Sequence, residues 1–259
     1  MPAGDRAADD DRPQRSSAER SRAGRSGVPW VDAAALAFVD SLDEPVLADA
    51  DLHHLARVLR LRPGAEVCAT DGAGGWRLGT FDGTAHLDPS GDVGHEPRPT
   101  PELTVAFALV KGEKPELVVQ KLTELGVDRI VPVDARHSVV RWDEARARKH
   151  LERLRRVARE ACSQCRRLWV PQVDELCSVA ELRARGAVLA HVGGRPLRGT
   201  DVVIAVGPEG GWSDGELDGA DTVTLGGHVL RAETAAITAG ALSAALRLGA
   251  VQEARESSR

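Results

Sequence analysis

Val202-Val203-Ile204-Ala205-Val206 runs without a break into Gly207-Pro208-Glu209-Gly210-Gly211-Trp212 and then into Ser213-Asp214-Gly215-Glu216. Five apolar residues between Asp201 and Gly207 read as a buried strand, and Ser-x-x-Glu has the form of a helix capping box. The order is strand, glycine-rich turn, capped helix. Glycine lets a backbone approach a ligand closely, and in open α/β sheets ligands sit at the carboxyl ends of the strands. Taken alone, the turn is explained equally well by a tight bend that merely requires glycine.

Moving outward, the strand predicted at 222–225 ends in Leu225-Gly226-Gly227-His228-Val229-Leu230-Arg231-Ala232-Glu233-Thr234-Ala235, so two successive strands close on glycine turns. The helix predicted at 235–248 is rich in Ala, Gly, Ser and Thr, which permits close packing against another backbone, although helix propensity alone also favours alanine. Upstream, 103–110 is a continuous apolar run of the kind a buried parallel strand requires. Residues 115–125 place Val118, Leu122 and Leu125 on one helical face before Gly126, and 129–133 is the next strand. A long helix at 143–167 has Leu151, Leu154, Ala158, Ala161, Cys162 and Cys165 as its apolar stripe, and a further strand falls at 187–192. Strands alternating with helices predict an α/β domain with a mostly parallel sheet. No Gly-x-Gly-x-x-Gly follows 103–110, which argues against a dinucleotide fold.

The N-terminal third has another texture. Short strands at 45–48, 65–70, 76–81 and 84–87 are punctuated by turn dipeptides and interrupted by a helix at 50–61, which suggests a small barrel, with 32–41 helix-like ahead of it. Residues 89–101, with four prolines, read as a linker, giving domains at 28–98 and 99–252. Residues 1–27 carry hardly an apolar side chain and are expected to be a disordered leader, and 253–259 a polar tail.

The net charge of −5 does not advertise a nucleic-acid binder, but between Arg136 and Arg167 eleven Lys and Arg residues face only four carboxylates. No apolar run approaches the length of a membrane span and no secretory signal is visible, so the expected compartment is the cytoplasm. Four scattered cysteines make no disulfide framework. The Cys162-x-x-Cys165 pair lacks a second pair at zinc spacing, and His53 and His54 point apart on a helix, so no metal is expected.

GPEGGWSDGE at 207–216 together with LGGHVLRAETAAI at 225–237 resembles the signature of the SPOUT methyltransferases that modify uridine N3 in 16S ribosomal RNA, the RsmE family. HHLARVLRLRPG at 53–64, KGEKPELVVQKLTELGVDRIVPV at 111–133 and the 136–171 block containing REACSQCRRLWVP match in the same order. The resemblance implies a PUA-like N-terminal barrel, a C-terminal SPOUT domain with a trefoil knot, a homodimer and S-adenosyl-L-methionine as cofactor. Knots are nearly absent from proteins, so that expectation rests on the resemblance alone. It implies Gly207, Glu209, Gly210 and Gly211 on one wall of the cofactor site, and Leu225, Gly226, Val229, Leu230 and Arg231 on another.

Arg231 and Glu233 are the implied catalytic candidates, with a structural ion pair as the alternative. Methylating uracil N3 requires loss of its proton, and Arg231 suits the stabilisation of the uracil anion; no general base is identified. RNA contacts are implied at His54, Arg57 and Arg60 in the first domain, and at Lys111, Lys114, Lys121, Arg136, Arg141, Arg166 and Arg167 in the second. For each arginine a solvated face is the competing explanation. The expected partner is 16S rRNA within the small subunit. Transfer RNA as the substrate and a catalytically silent assembly factor are the competing readings. Trp212 stands where Phe or Leu is more usual, and the absence of tyrosine leaves base stacking to the tryptophans Trp30, Trp76, Trp142, Trp169 and Trp212, or to a phenylalanine.

Overall fold

A computed structural model describes residues 28–112 and 114–252, so the predicted leader and tail lie outside the described residues. The first unit contains α1 (Pro29–Asp32), β1 (Ala35–Phe38), α2 (Asp49–His53), which continues as a π-turn over His54–Val58, β2 (Ala65–Thr70), β3 (Gly75–Phe81) and β4 (Leu87–His95). They form a four-stranded sheet in the order β1-β2-β3-β4, with β1 parallel to β2 and the remaining pairs antiparallel.

Three local expectations change. The helix-like stretch at 32–41 contains strand β1, and its Ala-Leu-Ala-Phe is buried on both faces. Ala35 and Ala37 pack into the core of this unit while Leu36 and Phe38 turn toward the second domain, so no alternation marks the strand. The linker predicted at 89–101 begins as β4, whose edge position tolerates Pro89 opposite Gly79. Residues 45–48 contribute only the bridge Val46–His86.

The second unit runs β5 (Thr104–Ala108), α3 (Lys114–Glu124), β6 (Arg129–Asp134), α4 (Glu144–Cys165), β7 (Gln172–Val173), β8 (Cys177–Ser178), α5 (Val179–Ala184), β9 (Val188–Pro196), β10 (Val203–Val206), α6 (Asp214–Leu217), β11 (Thr222–Thr224) and α7 (Ala232–Arg247). Its sheet, in the order β11-β9-β10-β5-β6-β7 with β8 also on β6, is parallel throughout. Val105, Phe107, Ile204 and Val206 face α3, α4 and α7 on one side of the sheet. Ala106, Val131, Leu189 and Ala205 face α5 and Trp212 on the other. Asp143 caps α4 by accepting the Arg146 N–H at 2.9 Å. The small residues of α7 meet their need within the chain: a Cβ on Gly240 would stand 2.5 Å from Leu122 of α3.

Where β9 crosses β11 the pairing jumps from Thr222–Leu189 to Val223–Arg195. A Cβ on Gly194 would lie 2.6 Å from the Val223 carbonyl carbon and 2.7 Å from its nitrogen, backbone atoms that cannot swing aside. Gly194→Ala is therefore expected to cost about 1–3 kcal/mol by overpacking. At roughly 2–4 °C per kcal/mol for a chain of this size, thermal unfolding should show a clear downward shift, and an unchanged midpoint would contradict the crossing.

The two units share a packed junction in which Phe38, Leu36 and Cys68 of the first meet Cys162 and Leu168 of the second. The Arg159 guanidinium lies 4.1 Å from the Phe38 ring centroid, Arg166 donates to the Ala34 carbonyl at 2.8 Å, and Trp169 Nε1 donates to the Glu96 carbonyl at 3.0 Å.

Candidate functional site

A cavity of about 230 Å³ lies between the middle of β9 and the turns at the carboxyl ends of β10 and β11. Ala190, His191 and Val192 of β9 form one side. Gly207, Glu209 and Gly211 from the turn after β10 form the second, and Leu225, Gly226, Val229 and Leu230 from the turn after β11 the third. Seven of the nine cofactor candidates thus come together. Gly210 lies behind the wall, where its Cα position backs onto His137 with room for a Cβ only at 3.1 Å, and Arg231 stands outside the lining as the exposed N-cap of α7. Trp212 makes the floor: its ring packs on Gly207 and its Nε1 donates to the Ala190 carbonyl at 3.0 Å, tying two of the walls together.

Beside the cavity three charged side chains converge. Lys114 Nζ lies 3.0 Å from Glu233 Oε1 and 3.7 Å from Glu209 Oε1, so the first residue of α3 joins the turn after β10 to the start of α7. Glu233 exposes 12% of its side chain, and its Oε2 is buried without a hydrogen-bond partner among the described residues. Burial pushes this carboxyl up, but its own N–H, the Lys114 ammonium and the charge of Arg231 outweigh that and hold its pKa below the usual range. A second contact set braces the turn from outside, where Glu216 accepts from the N–H groups of Ser213 and Arg136 at 2.7 and 2.8 Å and His137 Nδ1 lies 3.2 Å from the Gly211 carbonyl. Burial raises the Glu216 carboxyl too, but these N–H donors and the Ser213 hydroxyl hold it low.

The ten RNA candidates separate into groups. His54, Arg57 and Arg60 are exposed along the π-turn and just beyond it, and Lys111 is exposed after β5. Lys121 pairs with Glu124 on its own helix, and Arg141 pairs with Asp134 and donates to the Arg136 carbonyl. Lys114 belongs to the charged cluster above. Arg166, left-handed at φ 64°, holds the domain junction. Arg167 is turned inward: its guanidinium pairs with Asp128 at 2.7 Å and donates to the carbonyls of Thr123 and Val127, so packing claims it and leaves nothing for RNA. Cys162 is buried in that same region, and burial pushes its thiol up to about 12, far from the thiolate needed for metal or redox work.

Residues 96–244 match the family described as RNA methyltransferase domain, which is more than half of the chain, and 47–82 match the RNA methyltransferase PUA domain. The chain belongs to the RNA methyltransferase family. Within it, the ribosomal RNA small subunit methyltransferase E of Mycobacterium bovis is 35% identical over 80% of this chain and 89% of its own length. That of Bacillus subtilis is 30% identical over 73% and 85%. Among solved structures, the small subunit methyltransferase E of Neisseria gonorrhoeae, bound to S-adenosyl methionine, superposes with a TM-score of 0.67 at 26% identity, covering 80% of this chain and 95% of that one. A methyltransferase of Legionella pneumophila in complex with SAM gives a TM-score of 0.70 at 26% identity over 81% and 96%.

Family membership agrees with a cavity built on these glycine turns, and the cavity's lining includes residues that the sequence did not single out. His191 and Val192 form a third wall, although His191-Val192-Gly193-Gly194 is a third strand running into paired glycines and carried the same signal as the other two. His228 also lines the cavity, within the same turn as Val229 and Leu230. The roles of Trp212 as floor and His137 as brace depend on contacts across 22 and 74 residues of sequence, for which no local pattern exists.

Proposed function

We propose that this protein methylates N3 of a uridine in 16S ribosomal RNA of the small subunit, using S-adenosyl-L-methionine. The observation that carries the reading is the cavity at the carboxyl ends of two parallel strands, walled by the GPEGG and LGGHVL turns and by the middle of β9, in a member of the RNA methyltransferase family. Its donor set suits the cofactor: apolar walls at Leu225, Val229 and Leu230 for a purine, glycine backbone for a ribose, and the Glu209 carboxylate for a cationic ligand. Gly207, Glu209, Gly211, Leu225, Gly226, Val229 and Leu230 would hold it, with Gly210 and Arg231 supporting from behind and beside. The cofactor supplies an electrophilic methyl group on a sulfonium.

The protein's own part is alignment and charge. Arg231, exposed beside the cavity, stabilises the negative charge that develops on uracil as N3 loses its proton, and Glu233 with Lys114 holds the cofactor turn and α7 in register. The trefoil knot and the homodimer expected of the family belong to this reading. Arg231→Ala is expected to leave cofactor affinity within about threefold and to lower turnover at least 100-fold, about 2.7 kcal/mol of transition-state stabilisation. Near-normal turnover would remove Arg231 from the mechanism. The reading itself is tested by transfer from labelled S-adenosylmethionine to small subunits lacking the modification, followed by nucleoside analysis. 3-Methyluridine is the expected product, and cofactor binding without transfer to subunits would point to another RNA.

A further inference from the structure

We propose that one exposed face of α4, carrying Arg146, Lys149, His150, Arg153 and Arg156, is a docking track for the sugar–phosphate backbone of the substrate RNA, an inference that rests on the function proposed above. These residues fall at i, i+3, i+4, i+7 and i+10, on a single stripe about 15 Å long at 1.5 Å per residue. With Glu152 they line a cleft of about 500 Å³, in which Arg146 pairs with Asp143 at 3.4 Å and Arg153 with Glu116 at 3.0 Å. The opposite stripe of the helix, Leu151, Leu154, Ala158, Ala161 and Cys162, is buried, so the basic stripe is fixed outward.

Charge alone would leave the face as a solvated surface; its partners and its placement say more. Other cations near it are occupied, Arg155 by Glu175 and the Val173 carbonyl, Arg159 by Phe38, Arg166 by Ala34 and Arg167 by Asp128. Lys149 and Arg156 are exposed and, among the described residues, have no ion-pair partner. The His150 ring lies flat on Trp142, with centroids 4.6 Å apart and planes 9° apart, which places an aromatic surface beside the cations, the pairing that single-stranded RNA sites use. Helix α4 follows β6, whose carboxyl end lies on the same side of the parallel sheet as that of β10, and the loop leading to it touches the turn after β10 through His137 and the helix α6 through Arg136. Its far end reaches the PUA-like unit through Arg159 and Arg166. The track therefore connects the cavity with the other RNA-facing unit.

The test compares the full-length wild type with Lys149→Glu/Arg156→Glu in binding to naked 16S ribosomal RNA and to small subunits between 50 and 200 mM salt. Among the described residues neither side chain makes an ion pair or a hydrogen bond, and an unchanged melting temperature and cofactor affinity check that the fold is intact. The double variant is expected to bind naked RNA roughly tenfold more weakly at low salt, with the slope of log affinity against log salt reduced by about 1.4, two lost phosphate contacts at ~0.7 each. It should raise KM for subunits without changing kcat. Wild-type RNA affinity and slope in the variant would overturn the proposal, as would weakened subunit binding with naked RNA unaffected, which would assign the face to an acidic protein partner. A wild type that binds no RNA at all would instead overturn the function on which this inference rests.

Discussion

Asp128→Ala is expected to lower the melting temperature by roughly 6–20 °C, from a loss of about 3–5 kcal/mol at 2–4 °C per kcal/mol. Asp128 exposes 2% of its side chain and serves three elements together. Its Oδ1 accepts from Arg167 at 2.7 Å, and its Oδ2 accepts from Arg247 at 2.5 Å and from the Leu103 N–H at 3.0 Å. These contacts bind the exit of α4, the last turn of α7 and the start of β5. The two guanidiniums expose only 12% and 9% of their side chains, so losing the carboxylate leaves two buried charges facing one another without a counter-ion. Asp128→Asn, which keeps an acceptor and the shape but removes the charge, should fall between wild type and alanine. Thermal unfolding followed by circular dichroism measures both, and a shift below 2 °C in the alanine variant would show that the arginines are satisfied by backbone carbonyls alone.

Gly207→Val should weaken S-adenosylmethionine binding on the order of 100-fold, about 2.7 kcal/mol, with a smaller effect on stability. A Cβ at Gly207 would stand 3.0 Å from Cε2 and 3.1 Å from Cδ2 of Trp212, and valine adds two methyl groups to that contact. The indole is 7% exposed and packed against the sheet core, so the ring can give way only by breaking its hydrogen bond to Ala190. That bond keeps the β9 wall against the β10 turn, and its loss deforms the cavity although no group that touches the cofactor has been removed. Adding Trp212→Leu should recover part of the affinity, because two residues in contact are not additive. Calorimetry reads both outcomes, and tight binding in the single variant would show that the floor plays no part in shaping the cavity.

Much of this was legible in the sequence, for identifiable reasons. Strands β5, β6 and β10 are largely apolar runs in a buried parallel sheet, which need no partner to be recognised. Both glycine turns sit where their sequence put them, at strand ends on a common cavity. Strand β4 was hidden because Leu-Asp-Pro-Ser-Gly-Asp-Val-Gly-His carries almost no apolar signal. Its pairing with β3 makes it a strand, helped by Gly94, where a Cβ would fall 2.4 Å from the Trp76 ring. Nor could sequence say which arginine of the run 136–167 would turn inward. The left-handed Arg166 sends its neighbour Arg167 toward Asp128, 39 residues away, and only the assembled fold brings that carboxylate there. The knot was never readable from periodicity and came with the family resemblance.

The packed junction between the two units has a consequence for selectivity. With Phe38 under Arg159, Trp169 fastened to Glu96 and Leu36 set against Leu168, the separation of the PUA-like unit from the methyl-transfer cavity is fixed during folding. On the function proposed above, the protein would act as a gauge: an RNA would engage both ends only if its own folded shape already spanned that gap. No entropy of domain alignment is left to lose on binding, so a matching RNA is favoured without new contacts, while one of correct local sequence and wrong shape can occupy only one end at a time.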